Sequence, residues 1–293
     1  MEGRSAAVVS RWLLAQPAPW RAAITHVTID LSASFAKGVR GGLPNAVLVA
    51  DRFHLVALAN QMITTVRQRV VREHEGRRGR KVDPAWRVRR RLAAGHEHLR
   101  PETFAKMWNA LIDTGDPGLE ILGAFVVKED LRALLALAGA NPERREISRR
   151  LTTFYDHAAA SDAPEVHRLA TTVDKWWPTV LAGLESGYSN SRSEGYNRLA
   201  KHEGRNAFGF RNPVNQPRRI RWACSRQHRR EAARKTGLPG KLPRAGMAAA
   251  RSCWPGSCPS CAPSPRSPPA SGRCGTGSSW PTTRSVRFSG APG

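Results

Sequence analysis

Residues 23–51 read Ala-Ile-Thr-His-Val-Thr-Ile-Asp-Leu-Ser-Ala-Ser-Phe-Ala-Lys-Gly-Val-Arg-Gly-Gly-Leu-Pro-Asn-Ala-Val-Leu-Val-Ala-Asp, and this stretch decides the fold. Ala23 to Ile29 is rich in β-branched residues and stops at Asp30, as a strand would. Ala33 to Arg40 has the character of a short helix, Gly41 to Asn45 reads as a turn, and Ala46 to Ala50 is an unbroken apolar run stopping at Asp51. Strand, helix and strand in that order imply a parallel, right-handed βαβ unit. In open α/β sheets the chemistry sits just past the carboxyl ends of such strands, which is where Asp30 and Asp51 fall.

Downstream the pattern changes. From His54 to about Leu184 helical patterns dominate: His54 to Val71, Pro84 to Leu92, Pro101 to Asp113, Leu131 to Ala138 and Pro142 to Ala158. Pro101 with Glu102, and Asn141 before Pro142, mark helix starts. Trp176-Trp177-Pro178 leads into a further helix, which should stop at the polar segment Ser186 to Asn190, with the next element opening at Ser191. From Leu242 onward there is no Asp or Glu, and half of the 52 residues are Gly, Pro or Ser. Such a composition cannot bury a core, so residues 242–293 are expected to be a disordered tail; translation out of frame would yield the same mixture. The expected division is therefore 1–53, 54–184, 185–241 and 242–293.

The chain of 293 residues carries 47 Lys and Arg against 23 Asp and Glu, a net charge of +24, of which only the six tail arginines can be set aside. A positive field of this size favours polyanions, nucleic acid foremost. No apolar run is long enough to cross a membrane, and the N-terminus lacks the pattern of a secretory signal, so the expected compartment is the cytoplasm with no membrane partner. Four of the five cysteines lie in the tail, so no disulfide framework holds the fold; the single Cys258-x-x-Cys261 pair is a weak zinc signal.

Each candidate for chemistry has a plain structural alternative. Asp30 and Asp51 would serve equally well as caps of the helices that follow. Asp51-Arg52-Phe53-His54 places a histidine three residues after an acid, a spacing that also arises by chance. Glu194 lies three residues after Ser191, where a capping box would need it, yet Arg198 and Lys201 follow on the same helical face and could track a phosphate backbone. Arg205 and Arg211 extend that charge. As metal ligands, Asp30 and Glu194 would suit hard divalent ions such as Mg²⁺ or Mn²⁺. A second basic run, Arg77 to Lys81 with Arg87, Arg89, Arg90 and Arg91 around Trp86, is either a solvated loop or a nonspecific phosphate-binding surface.

Taken in order, several segments resemble the DDE-type transposases of bacterial insertion sequences, in particular the ISL-three group. They are Gly3-Arg4 through Trp12-Leu13, Val27 to Asp30, Leu43 to Ala46 through Asp51 to Leu55, Trp176-Trp177-Pro178, Ser189 to Asn197, and Gly209 to Asn212, spanning roughly residues 3 to 230. The resemblance implies α/β architecture: a partial RNase H-like catalytic core interrupted by a large all-helical insertion. It implies Asp30 as the second and Glu194 as the third of three acids holding Mg²⁺ or Mn²⁺, with Asp51 and His54 as an accessory acid-x-x-His motif. It further implies DNA strand cleavage and transfer, DNA contacts through Arg198, Lys201, Arg205 and Arg211, transposon ends and target DNA as partners, and self-association into a homo-oligomer. In such transposases the first acid lies upstream of the segment that begins here at Gly3-Arg4. The corresponding expectation is an incomplete, inactive enzyme, with a noncatalytic nucleic-acid-binding remnant or a nonfunctional pseudogene product as the alternatives.

Overall fold

The computed structural model describes residues 5–210, 212, 214–235 and 284–288. They form two units, one of residues 1–194 with 282–293 and one of residues 195–281. The first unit opens with helix α1 (Ala6–Leu14), started by the Ser5 hydroxyl, which accepts from the Val8 amide, and a short α2 (Ala18–Ala22). Strand β1 (Ile24–Ile29), helix α3 (Ala33–Gly42) and strand β2 (Val47–Ala50) follow, with β1 and β2 parallel and Ile29 opposite Ala50. The anticipated strand-helix-strand order and parallel pairing are therefore present.

Val9 and Leu13 of α1 pack with Ile24, Val27 and Ile29 of β1 and with Ala36 and Val39 of α3 in one small core. The helices approach closely because Gly38 has no side chain: a Cβ there would lie 2.8 Å from both the Ala6 carbonyl oxygen and the Val9 Cβ. Beside β1, opposite β2, runs a third parallel strand, β3 (Arg284–Phe288). Residues 284–288 thus depart from the expectation of a tail without structure: an open strand edge offers unpaired backbone groups to any segment that can extend beside it. The remainder of 242–293, its cysteines included, lies outside the described residues.

The helical block consists of α4 (Arg52–Glu75), α5 (Pro84–Arg87), α6 (Arg89–Ala93), α7 (Pro101–Ile112), α8 (Asp116–Leu135), α9 (Arg144–Ala159) and α10 (Pro164–Ser186). Its core is larger and mostly helical, drawing Leu55, Ile63, Val66, Met107, Leu111, Leu131, Phe154 and Val173 into one cluster with Ala50 of β2. Two expectations needed correction here. Leu131 to Ala138 is only the end of α8, whose twenty residues begin at Asp116. Asp116-Pro117-Gly118 resembles a turn, and the helix packs against α4, α7 and α9 on several sides, so it shows little amphipathic period. Trp176-Trp177-Pro178 does not precede a helix but lies inside α10, which continues through Pro178 to Gly187, a left-handed cap with φ of 70°. Arg69 of α4 pins the block by bonding Glu165 of α10 at 3.0 Å and Glu120 of α8 at 2.5 Å. Burial pushes the Glu165 carboxyl up, but the Arg69 bonds outweigh it and leave the group below its ordinary range.

Helix α11 (Ser191–Asn206) begins in the first unit and runs into the second, which also holds α12 (Asn215–Lys235). Within the second unit Arg219 lies over the Phe210 ring and Arg226 over the Trp222 ring, at 5.9 and 4.5 Å. No helix among the described residues is long and apolar enough to cross a membrane.

Candidate metal centre and its relatives

Asp30 directly follows β1 and Asp51 directly follows β2, and the strands are held level there by the Asp51 amide, which donates to the Ile29 carbonyl at 3.0 Å. Parallel pairing in that register is what brings two acids 21 positions apart to one end of the sheet. Asp51 is fully buried, and its Oδ1 accepts from the Phe53 amide at 3.5 Å, capping α4. Its Oδ2 lies 3.1 Å from His54 Nδ1, and that same nitrogen is 3.4 Å from Asp30 Oδ1. One Asp51 oxygen thus caps α4 and the other faces His54. Asp30 retains 15% side-chain exposure and His54 retains 42%, so the group opens to solvent on the side of Asp30 and His54.

Ligand atoms of Asp30, Asp51 and His54 all lie within 4.8 Å of one another, a spacing that a single cation can span. The fourth participant is Asn190, fully buried, whose Nδ2 donates to Asp30 Oδ1 at 3.4 Å while its Oδ1 has no hydrogen-bond partner. Two carboxylates and an imidazole within this spacing offer the hard oxygen donors that Mg²⁺ and Mn²⁺ favour, so the residues present fit such an ion. Spacing alone does not single out Asn190; its value comes from the fold, since Tyr188 packs on the His26 ring of β1 at 4.8 Å and carries the segment before α11 against the sheet.

Glu194 stands one turn into α11, its amide bonded to the Asn190 carbonyl at 2.9 Å, and its side chain is exposed. It is not a member of the Asp30, Asp51 and His54 group. Ser191 is the first residue of the helix, and its hydroxyl pairs with that of Ser189 at 2.9 Å. Arg198, Lys201 and Arg205 are exposed along α11, spaced by three and four residues as one helical face requires. Arg211 lies outside the described residues.

A second group, His96, Glu97 and Glu129, also satisfies a ligand-like spacing. Two cations already occupy it: Lys128, fully buried, reaches Glu129 at 2.5 Å and the Ala94 carbonyl at 2.6 Å, and Arg132 bonds Glu97. Its charge is balanced internally, and it reads as a structural pin of the helical block.

The family model for ISL-three-group transposases matches residues 1–220, and the chain belongs to that family. It is similar to two curated proteins described as the transposase for insertion sequence element IS1557, from the CDC 1551 / Oshkosh and ATCC 25618 / H37Rv strains of Mycobacterium tuberculosis. Each is 28% identical over 214 residues, which cover 66% of this chain and 46% of the relative. The chain thus spans less than half the length of these relatives. No solved structure matches it.

Proposed function

We propose that the chain is a metal-binding, DNA-handling part of a transposase whose reaction is cleavage and joining of DNA strands during insertion-sequence movement. In this reading β1, α3, β2 and α11 are pieces of an RNase H-like core into which α4 to α10 are inserted. Asp30 and Glu194 are the acids that hold Mg²⁺ or Mn²⁺, and the transposon ends and target DNA are the partners. The observation that carries the reading is the meeting of Asp30, Asp51 and His54 at the carboxyl ends of two parallel strands, with buried Asn190 joining the turn that bears Glu194 to the same carboxylate.

Bound divalent ions would supply a water or hydroxyl nucleophile and neutralise charge on the phosphodiester. The chain's own groups do the rest. Asp51, fixed by its cap to α4, holds His54 Nδ1 within reach of both acids. Asn190 Nδ2 orients Asp30 from the other side. Arg198, Lys201 and Arg205 supply positive charge along α11 to position a DNA backbone.

The test is nicking of supercoiled plasmid in Mg²⁺ or Mn²⁺, together with the Mn²⁺-induced shift in melting temperature, for the wild type beside Asp30→Asn and Glu194→Gln. Loss of the Mn²⁺ shift and of nicking in both variants supports the assignment. A metal response untouched by either substitution sinks it. A second reading, a noncatalytic DNA-binding protein, is favoured by the net charge of +24, and salt-sensitive DNA binding with no metal response at Asp30 is the result it expects.

A further inference from the structure

Arg67 lies on the inward face of α4 with 5% of its surface exposed, and no acid among the described residues forms an ion pair or hydrogen bond with it. Its guanidinium faces the ring of Trp86 at 5.9 Å, and a second guanidinium, that of Arg89, lies 4.4 Å from the same ring. Arg89 makes one hydrogen bond, from Nη1 to the Trp86 carbonyl at 2.8 Å, and also has no acidic partner. Burial first, and then the like charge of Arg89, push the Arg67 guanidinium below its ordinary value. Two arginines gathered on one indole ring without a counter-charge are unusual, because a buried cation is ordinarily paired. Asp83, the buried acid of the loop beside Trp86, is already consumed: Arg77 bonds both of its oxygens at 2.8 Å and the Arg80 amide donates to it at 2.6 Å.

We infer that Arg67, Trp86 and Arg89 form a phosphate-binding site on the helical block, whose ligand is a phosphodiester of duplex DNA. An anion of that chemistry supplies the missing counter-charge, and arginine's fork matches phosphate oxygens. The surroundings select a polymer over a free anion. Arg78, Lys81, Arg87 and Arg90 are exposed around the same loop and short helices, and none forms a salt bridge with an acid among the described residues. A single phosphate needs one such site, whereas a row of unpaired cations beside it follows a repeating backbone. The inference rests on the reading of the chain as one that handles DNA, and it places a contact on the helical block apart from the acids.

Arg67→Met and Arg89→Met, singly and together in the full chain, test it by fluorescence anisotropy with labelled duplex across a salt series. Each lost phosphate contact lowers the slope of log affinity against log salt by about 1, so the double variant should lose about 1–2 from the slope and roughly tenfold in affinity. Its melting temperature should hold or rise, since methionine removes an uncompensated buried charge. Should Arg67→Met fail to fold, Arg89→Met, at a half-exposed position, carries the same measurement. A double variant with wild-type affinity and slope overturns this site while leaving the DNA reading in place. A wild type that binds no duplex, yet is stabilised by inorganic phosphate through Arg67, overturns DNA as the partner and the DNA-handling reading with it.

Discussion

The two cores of the first unit differ in how they are made. The helical block fills its interior from seven helices consecutive in sequence, whereas the sheet layer collects α1, β1, α3 and β2 from the first fifty residues and borrows β3 from residues 284–288. One core is broad and local; the other is thin and dependent on close fits such as α1 against Gly38. The acids stand on the seam between them, at the ends of the thin layer's strands and at the start of the broad block's first helix. Precision at the acids therefore comes from the robust neighbour as much as from the sheet, because Asp51 is at once the end of β2 and the cap of α4.

The sharpest way to break that contrast is to damage each core in turn. Leu131→Ala, at a fully buried position in the block, should cost about 2–5 kcal/mol and lower the melting temperature of the whole unit. Gly38→Ala should cost about 1–3 kcal/mol, because its Cβ meets backbone and cannot be accommodated by a rotamer change. Its loss should appear first as faster hydrogen exchange in α1 and β1 while α4 to α10 stay protected. Equal acceleration across both regions would mean that they are one cooperative core. Asp51→Ala removes a cap worth about 1 kcal/mol, whereas Asp51→Asn keeps a good cap and removes the charge. The asparagine variant should therefore melt within a few tenths of a kcal/mol of wild type and still lose most of its Mn²⁺ response.

The smallest effect concerns the loop after α4. Arg77 holds the Asp83 carboxyl down to about 2, below its ordinary 3.8. A carboxyl whose folded value is depressed stabilises the fold at pH above its unfolded value, and the stabilisation is lost as pH falls through the folded value. The advantage of wild type over Asp83→Asn should thus be complete above about pH 4 and gone near about pH 2, as followed by acid titration of melting temperature. An advantage that persists unchanged below that window would mean that Asp83 acts through shape and not through charge.

Much of the seam was legible from residue order. Period and composition locate β1, α3 and β2 within a residue or two, and an acid after each strand needs only parallel pairing to become half of a pair. Asp51 and His54 were readable as an acid-x-x-His on a first turn, and the structure joins them at 3.1 Å. Helix α8 was not readable, because a central helix loses the polar face that gives the period away. Nor was Asn190, whose contact with Asp30 depends on tertiary placement, nor the company that Arg67 keeps, since one arginine in a basic chain carries no mark of burial.

The bond between Asn190 and Asp30 joins residues 160 apart. At ribosomal speeds of about 5–20 residues per second, Asp30 emerges roughly 8–30 s before its partner exists. In that interval α4 to α10 have time to fold on local contacts, so the long separation is bridged by a compact body and not by a loose loop. The bond from Asn190 to Asp30 is accordingly made late, on a scaffold already standing, after the strands that carry Asp30 and Asp51 have paired.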